Sequence, residues 1–267
     1  MVLDSIGSKK INLHKVAFEL RYKQGFTYLD RCGRTVNSIM AEYPEWILRT
    51  DSPNPQAAPL VSLQNGCKLD MSSYKINFIL EQAADGEPLD KKDVEKFSEQ
   101  VDALSKIIIS SLSLNEFTRV GARIFYLVPF DKMEDAEKWV QSLGYFSVSD
   151  SLLKRFGATV ESTAFTARLT LPDKKVSVST NLVERSAQFD IGDNVLNVNP
   201  RALPSKQKEA FIELQKQKHK KTIHPPFGIM IDADVFLEEI SEIKLSETFL
   251  KSFVVSSFTS VASALKG

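Results

Sequence analysis

The chain has 267 residues, of which 43% are hydrophobic and 25% are charged, so it can bury a sizeable core and is not disordered throughout. Its 34 Lys and Arg residues are balanced by 34 Asp and Glu residues, which excludes long-range attraction of the whole chain to nucleic acid or anionic membranes. Any site for a polyanion must therefore come from local clustering of charge.

The cysteine content and the hydropathy pattern point to a cytoplasmic protein. Cys32 and Cys67 allow one disulfide at most, whereas secreted domains that depend on disulfides use far more cysteine. Both are therefore predicted to be free thiols. Residues 1–10 lack the basic start and apolar run of a signal peptide. No stretch approaches the roughly 20 apolar residues that span a bilayer, so no membrane partner is expected.

The first quarter of the chain predicts a strand, a helix and a loop. Val16–Tyr22 alternates apolar and polar residues, as a half-buried strand does. A helix is predicted next, ending at Pro44. Asp51–Pro59 contains three prolines and is predicted to be a loop. The helix has apolar residues three and four apart, which form one face: Leu29, Cys32, Val36, Ile39, Met40 and Tyr43.

Further strands and helices are predicted up to residue 146. Leu60–Leu63 and Lys68–Glu81 are predicted strands, and Arg119–Val128 is predicted to be a central strand because it is apolar and β-rich. A short helix is predicted over Met133–Leu143. Asp90 is a candidate N-cap for the clearest helix of the chain. The apolar stripe of that helix consists of Val94, Phe97, Val101, Leu104, Ile108 and Leu112.

The second half repeats this alternation. Strands are predicted over Ala158–Leu171, Lys175–Glu184, 188–198 and Gly228–Phe236, and a polar stretch precedes the last of them. A final helix is predicted over Glu247–Leu265. Its inward residues are predicted to be Leu250, Phe253, Val254, Phe258, Val261 and Leu265.

These elements predict an α+β fold with two sheet-and-helix lobes, residues 1–146 and 147–267. Both lobes begin with strands and end with a late strand and a helix. They also share a short echo, because 17–21 and 164–168 differ at two of five positions. A degenerate duplication is one interpretation of that similarity, and chance similarity between strands is the other.

The layout resembles that of a sporadically distributed prokaryotic family of uncharacterised proteins of about this length. The resemblance is carried by three segments: 15–22 with the helix that closes at Tyr43-Pro44, then 119–126, then 231–236. It covers nearly the whole chain, and it implies no catalytic residues. The patchy distribution of that family suggests genes that are mobile or linked to antiviral defence.

Several classes of enzyme are disfavoured by the motifs. The three histidines, His14, His219 and His224, are not accompanied by a Gly-x-Ser-x-Gly turn. Neither Gly-x-x-x-x-Gly-Lys-Ser/Thr nor Gly-x-Gly-x-x-Gly occurs to hold phosphates. The two cysteines lack the spacing of a structural zinc site. No catalytic residue and no cofactor is predicted, although enzymatic activity stays an open question.

Asp232 and Asp234 form the best carboxylate pair. Residues two apart on a strand point to the same face, so the pair could share a hard cation such as Mg²⁺ in a hydrolase or nuclease. The favoured interpretation is an edge strand whose polar face meets water. Arg119 and Arg123 share a strand face in the same way. They are candidate anion ligands or partners of carboxylates.

The strongest charge asymmetry is a basic segment at 206–224, where Glu209 and Glu213 are the acidic residues. Such a segment can neutralise phosphates without recognising sequence. A solvated helix or loop is the favoured interpretation. The candidate nucleic-acid-binding residues are Lys206, Lys208, Lys216, Lys218, Lys220 and Lys221.

The sequence thus favours a non-enzymatic binding or adaptor protein that acts through protein–protein contacts, with a partner that the sequence does not identify. A nucleic-acid-binding module using 206–224 is the first alternative, and a metal-dependent hydrolase or nuclease at Asp232 and Asp234 is the second. The resemblance adds a role in a prokaryotic defence system. Oligomeric state is left open.

Overall fold

The fold is described from a computed structural model of the chain. It covers residues 5–6, 9–23, 25–48, 57–62, 65–82, 87–143, 154–155, 165–187, 221–240 and 249–266. The strands are β1 Ser5–Ile6, β2 Lys9–Lys10, β3 Asn12–Arg21, β4 Trp46–Leu48, β5 Ala57–Ser62, β6 Cys67–Ser72, β7 Lys75–Glu81, β8 Phe117–Phe130, β9 Phe165–Thr170, β10 Lys175–Ala187 and β11 Lys221–Ile240. The helices are α1 Thr27–Glu42, α2 Lys91–Leu112, α3 Met133–Ser142 and α4 Phe249–Lys266.

Nine strands form one antiparallel sheet in the order β4-β5-β6-β7-β3-β8-β11-β10-β9, and β1 pairs with β2. The predicted α+β class is confirmed. The long strands β3, β8 and β11 are neighbours at the centre, where β8 pairs with β3 on one side and β11 on the other. The sheet therefore brings together residues from both predicted lobes.

The four helices pack on one face of this sheet. α2 contacts both α1 and α4, α4 lies on β8, and α3 contacts β8, β10 and β11. The ring of Phe253 in α4 meets Phe18 of β3 edge-on, with centroids 6.5 Å apart. Inward-facing residues of the strands, such as Ile124 and Ile231, are buried beneath the helices. The opposite face carries the alternate residues of each strand.

Helix α2 forms where its cap and its apolar stripe predict it. Asp90 accepts a hydrogen bond from the backbone N–H of Asp93 at 2.9 Å, and the Asp93 carboxylate accepts one from the Asp90 N–H at 2.8 Å. This reciprocal pair is a capping box. The six stripe residues from Val94 to Leu112 are all buried, which confirms the predicted face.

The stripe predicted for α1 is rotated in the structure. Leu29 and Met40 are exposed, whereas Tyr28 and Thr35 are buried with Val36 and Ile39. Both polar side chains are satisfied: the Tyr28 hydroxyl donates to the carbonyl of Met71, and the Thr35 hydroxyl donates to that of Arg31. Burial of hydrogen-bonded polar groups costs little free energy. A prediction from residue polarity alone therefore assigned the wrong face of α1 to the core.

Two predicted boundaries are also wrong. The segment Lys68–Glu81 is a hairpin, with β6 and β7 joined at Ser73-Tyr74, and the Ser72 hydroxyl donates across the turn to the carbonyl of Lys75. Pro59 lies in β5, not in the predicted loop. Pro59 lies beyond the end of β4, because the last residue of β4 pairs with Leu60. The missing N–H of Pro59 therefore costs no hydrogen bond to β4.

The second half agrees with the predictions where it is described, except that the strand of Asp232 and Asp234 is not an edge strand: β11 pairs with β8 on one side and β10 on the other. β10 and β11 include the predicted strands Lys175–Glu184 and Gly228–Phe236, β9 covers the end of Ala158–Leu171, and α4 buries its predicted stripe except for Leu265, which is partly buried. The strand predicted at 188–198 lies outside the described residues. The division into 1–146 and 147–267, and the duplication, stay predictions.

Candidate functional site: a charged face of the sheet

The face of the sheet opposite the helices carries the candidate aspartates of one predicted lobe and the candidate arginines of the other. Because β11 and β8 pair in register from Phe227↔Phe130 onward, residues far apart in sequence become neighbours. We call this surface the charged face and define it by Glu19, Arg21, Arg119, Arg123, Lys175, Asp232, Asp234 and Glu238.

Arg119 lies at the centre of the charged face and binds two carboxylates. Its Nη2 donates to both oxygens of Asp234, at 2.6 and 2.7 Å, and its Nε donates to Glu19 Oε1 at 3.2 Å. The guanidinium lies 4.1 Å from the ring centroid of Phe236, which gives it a cation–π contact. The three charged side chains are 14–20% exposed, so this cluster is largely shielded from water.

Arg123 makes a second, more exposed cluster beside the first. It stands directly opposite Asp234 in the register but donates to Asp232, whose carboxylate it contacts through Nε and Nη2. The guanidinium also lies 5.0 Å from the ring centroid of Phe125, and Lys15 approaches that ring from the neighbouring strand at 5.5 Å. Each aspartate of the candidate pair therefore has its own arginine.

The perturbed pKa values on the charged face follow from burial and pairing. Burial raises the pKa of Asp234 above its ordinary value, although the guanidinium of Arg119 opposes that shift. The hydrogen bond to Asp232 raises the pKa of Arg123. Asp234 thus lies in an environment that disfavours its charge, which makes its pairing with Arg119 matter more for the fold.

This arrangement bears directly on the candidate metal site. Asp232 and Asp234 do share one face, as the strand spacing predicts, but guanidinium groups occupy the carboxylate oxygens that a cation would need. Glu238 is engaged by Lys175. Among the described residues, no group of three or more His, Cys, Asp or Glu side chains is arranged to hold a metal ion. Metal binding here stays an alternative hypothesis, which is tested below.

The basic segment can be placed only in part. Five of its lysines, at 206, 208, 216, 218 and 220, lie outside the described residues, as does His219. Lys221 and His224 are at the start of β11, where the backbone is described. Nucleic-acid binding by 206–224 therefore stays an alternative hypothesis.

The remaining reactive groups have structural surroundings. Cys32 and Cys67 are both free, and burial raises the pKa of each thiol, that of Cys67 to about 12. Such thiols are poor nucleophiles near neutral pH. The Nδ1 of His14 lies 3.3 Å from the side-chain oxygen of Gln82. None of these three residues adjoins the charged face clusters at Arg119 and Arg123.

A shallow cleft of about 780 Å³ lies where the β9–β10 turn meets the end of β11. Its lining includes Pro172, Lys174 and Glu239. Glu239 has a left-handed backbone, with φ of 53°, which is uncommon for a residue with a side chain. Among the described residues, the lining of the cleft contains no histidine or cysteine.

Sequence reasoning found four residues of the charged face clusters and missed others. Arg119, Arg123, Asp232 and Asp234 were identified as candidates from their spacing. Glu19 and Phe236 were missed because their contribution depends on strand register across 100 or more residues. The alternation of each strand places them on the right face, but no local pattern indicates which strand is the neighbour.

Comparison with known proteins adds no functional assignment. No protein-family model matches the chain, and no curated protein matches it. In the described residues, no helix has the length and apolarity needed to cross a membrane. The function must therefore be argued from the chemistry of the fold.

Proposed function

We propose that the chain is a non-enzymatic binding or adaptor protein that acts through protein–protein contacts made by its charged face. The observation that carries this proposal is the mutual pairing of the candidate groups: Arg119 with Asp234, and Arg123 with Asp232. Catalytic acids, bases and metal ligands need a free proton site or lone pair. Here those sites are engaged by neighbouring side chains.

The shape of the surface supports the same proposal. Small-molecule sites are concave and mostly apolar, whereas the charged face is one side of a sheet whose helices pack on the other side. Positive and negative side chains alternate across it, from Arg21 and Glu19 to Lys175 and Glu238. A broad surface of mixed charge favours specific contact with a complementary protein surface, because charge complementarity selects partners.

A cytoplasmic location and a prokaryotic defence role are part of the proposal. The free thiols of Cys32 and Cys67 support a reducing compartment. The defence role is supported by the family resemblance described above. It predicts that cells lose resistance to phage when the gene is deleted, and that a gene encoding the charged-face variant below does not restore it.

The test uses charge reversal with a matched control. Arg21→Glu with Lys175→Glu reverses two exposed cations of the charged face, and each loses one ion pair. Lys91→Glu with Lys106→Glu makes the same charge change on α2, and each again loses an ion pair. Exposed pairs contribute little to stability, so both proteins should fold.

Tagged wild-type and variant proteins are isolated from source cells, and the bound proteins are quantified by mass spectrometry. We expect a partner that the charged-face variant loses and the α2 variant retains. Equal recovery of the same proteins by both variants, or recovery of none by the wild type, would refute the proposal.

A further inference from the structure

The strand β9 lies at one end of the nine-stranded sheet, and its outer edge is open among the described residues. The N–H of Leu171 donates to the carbonyl of Lys174 at 2.8 Å. With the strand register, this bond determines which residues of β9 direct their backbone groups to β10. Backbone groups alternate in direction along a strand. The N–H and C=O groups of Thr166, Arg168 and Thr170 therefore point away from β10, toward the open edge.

The same strand exposes apolar side chains. Leu169 is 54% exposed, and Leu171, just beyond the strand, is 37% exposed. Both face the helix side of the sheet, as Ala167 does, since residues two apart share a face. Thr166, Arg168 and Thr170, whose backbone groups point to this edge, are exposed as well. An exposed edge strand with exposed leucines is suited to pairing with another strand.

We propose that β9 pairs antiparallel with β9 of a second copy of this chain and so forms a two-fold symmetric dimer. This inference goes beyond the proposed function and does not depend on it. The opposite edge of the sheet is a poorer candidate, because β4 has three residues and short edge strands resist edge-to-edge pairing.

The sequence of β9 selects one register. Directly opposite residues of two paired strands lie on the same face of the sheet. In a symmetric pair of identical strands, the two-fold axis must therefore pass between the two copies of one residue, on which the pairing is centred. Centring on Arg168 places two guanidinium groups directly opposite each other, which is unfavourable. Centring on Leu169 sets the two Leu169 side chains together, puts Arg168 opposite Thr170 and puts Ala167 opposite Leu171.

This register also satisfies the backbone. Arg168 and Thr170 both direct their N–H and C=O groups to the open edge, so they form a hydrogen-bonded pair. The Leu169 pair is then a non-hydrogen-bonded pair, in which the Cα atoms are closest, about 4.5 Å apart. Centring on Ala167 would instead set Leu169 opposite Phe165, which is already partly buried, and would leave the exposed Leu171 beyond the paired residues.

The dimer has a consequence for the charged face. The two-fold axis of an antiparallel pair within one sheet runs through the sheet, so both copies present the same face on the same side. The charged faces would form one continuous surface. A partner that binds it could then contact two copies, which increases affinity without any new type of contact.

The experiment follows the oligomeric state of the full chain by sedimentation velocity across a wide concentration range. We expect the wild type to shift from monomer to dimer as concentration rises. Arg168→Pro removes an N–H that points to the open edge and leaves the bonds to β10 intact, so it should stay monomeric. Leu169→Lys should also stay monomeric, because it sets like charges together. Ile47→Lys on the exposed face of β4 is the control and should dimerise as the wild type does.

Oxidation of single-cysteine additions tests the register. Leu169→Cys should form a covalent dimer, because the Cα separation of this pair suits a disulfide, whereas Ala167→Cys should not. The wild type controls for Cys32 and Cys67. A wild type that is monomeric at every concentration, or dimers that persist in both Arg168→Pro and Leu169→Lys, would overturn the proposal. Preferential cross-linking through Ala167→Cys would overturn the register.

Discussion

The guanidinium of Arg119 lies across the backbone of Gly121, two residues further along the same strand. A Cβ atom built on Gly121 would be 2.8 Å from Nη2 and 3.2 Å from Nε and Cζ of Arg119. In the register, Arg119 stands opposite Glu238 and must pass over this position to reach Asp234, which is opposite Arg123. Gly121 therefore provides the space in which this partly buried ion pair forms.

Gly121→Ala should displace Arg119 and weaken its bonds to Asp234 and Glu19. The three atoms nearest to the new methyl group all belong to the flexible end of Arg119, so we expect a loss of roughly 1–2 kcal/mol in the free energy of unfolding. Urea titration of the wild type and the variant measures it.

A double-mutant cycle separates the displacement of Arg119 from a direct effect of Gly121→Ala on the strand backbone. In an Arg119→Met background the clash is absent, so Gly121→Ala should cost much less than in the wild type. If the substitution costs the same in both backgrounds, the contact with Arg119 is not what requires glycine at this position.

Leu104→Ala tests the contact between α2 and the sheet. Leu104 is buried in the middle of the predicted stripe, so truncation removes transfer free energy and leaves a cavity. We expect a loss of about 2–5 kcal/mol in a denaturant titration. Lys96→Ala, on the exposed side of the same helix, should change stability by less than about 0.5 kcal/mol. A loss below about 1 kcal/mol for Leu104→Ala would mean that α2 packs loosely on the sheet.

The N-cap of α2 should give stability a measurable pH dependence. The backbone N–H of Asp93 donates to the Asp90 carboxylate and lowers the pKa of Asp90 below its ordinary value. A lowered pKa means that the charged form stabilises the fold, so this contribution is present above about pH 4 and is lost as pH falls through the folded-state pKa.

Asp90→Ala should therefore cost about 1 kcal/mol at neutral pH, and the difference from the wild type should shrink in acid. Asp90→Asn retains a capping oxygen and should be less destabilising at neutral pH. Unfolding titrations at several pH values provide the measurement. A difference that does not vary with pH would contradict a role for the charge.

The sequence predicted α2 and the central strands well, because their local sequence patterns favour the same elements that tertiary packing stabilises. The apolar stripe from Val94 to Leu112 keeps the helical period over about five turns, and Asp90 supplies the cap. β3 and β8 were predicted from alternation and apolar content. α1 was misplaced because the hydroxyls of Tyr28 and Thr35 are satisfied inside the fold, and that is decided by tertiary neighbours.

The charged face shows where prediction from sequence stops. Strand spacing placed Asp232 and Asp234 on one face, and Arg119 and Arg123 on one face. The pairing of those two sets joins residues 109 and 115 positions apart. It depends on β8 and β11 being neighbours in one particular register, which the alternation of either strand leaves undetermined. The choice between a cation site and ion pairs could not be made without it.

Because of these ion pairs, we expect millimolar Mg²⁺ or Mn²⁺ to leave the melting temperature of the protein unchanged. A ligand that binds the folded state must stabilise it, but Asp232 and Asp234 already accept hydrogen bonds from arginines. Thermal unfolding with and without the cation tests this. A clear rise that disappears in Asp232→Asn would instead support the metal-dependent enzyme hypothesis.

The basic segment gives the test that separates a protein-binding module from a nucleic-acid-binding one. Phosphate contacts release condensed counterions, so the logarithm of affinity falls linearly with the logarithm of salt concentration. If Lys216, Lys218, Lys220 and Lys221 made about three to four contacts with duplex DNA, the slope would be about −3. Because the whole chain is neutral, we expect weak binding or none at physiological salt.

Replacement of these four lysines with Gln is the matched variant for that measurement, since it removes charge and keeps polarity. Fluorescence anisotropy with labelled duplex DNA, repeated over a range of salt concentrations, compares it with the wild type. Submicromolar binding at physiological salt that the quadruple variant loses, with a flattened salt dependence, would favour the nucleic-acid hypothesis. Similar weak binding by both proteins is the expected outcome, because scattered phosphate contacts without base recognition give little affinity at that salt.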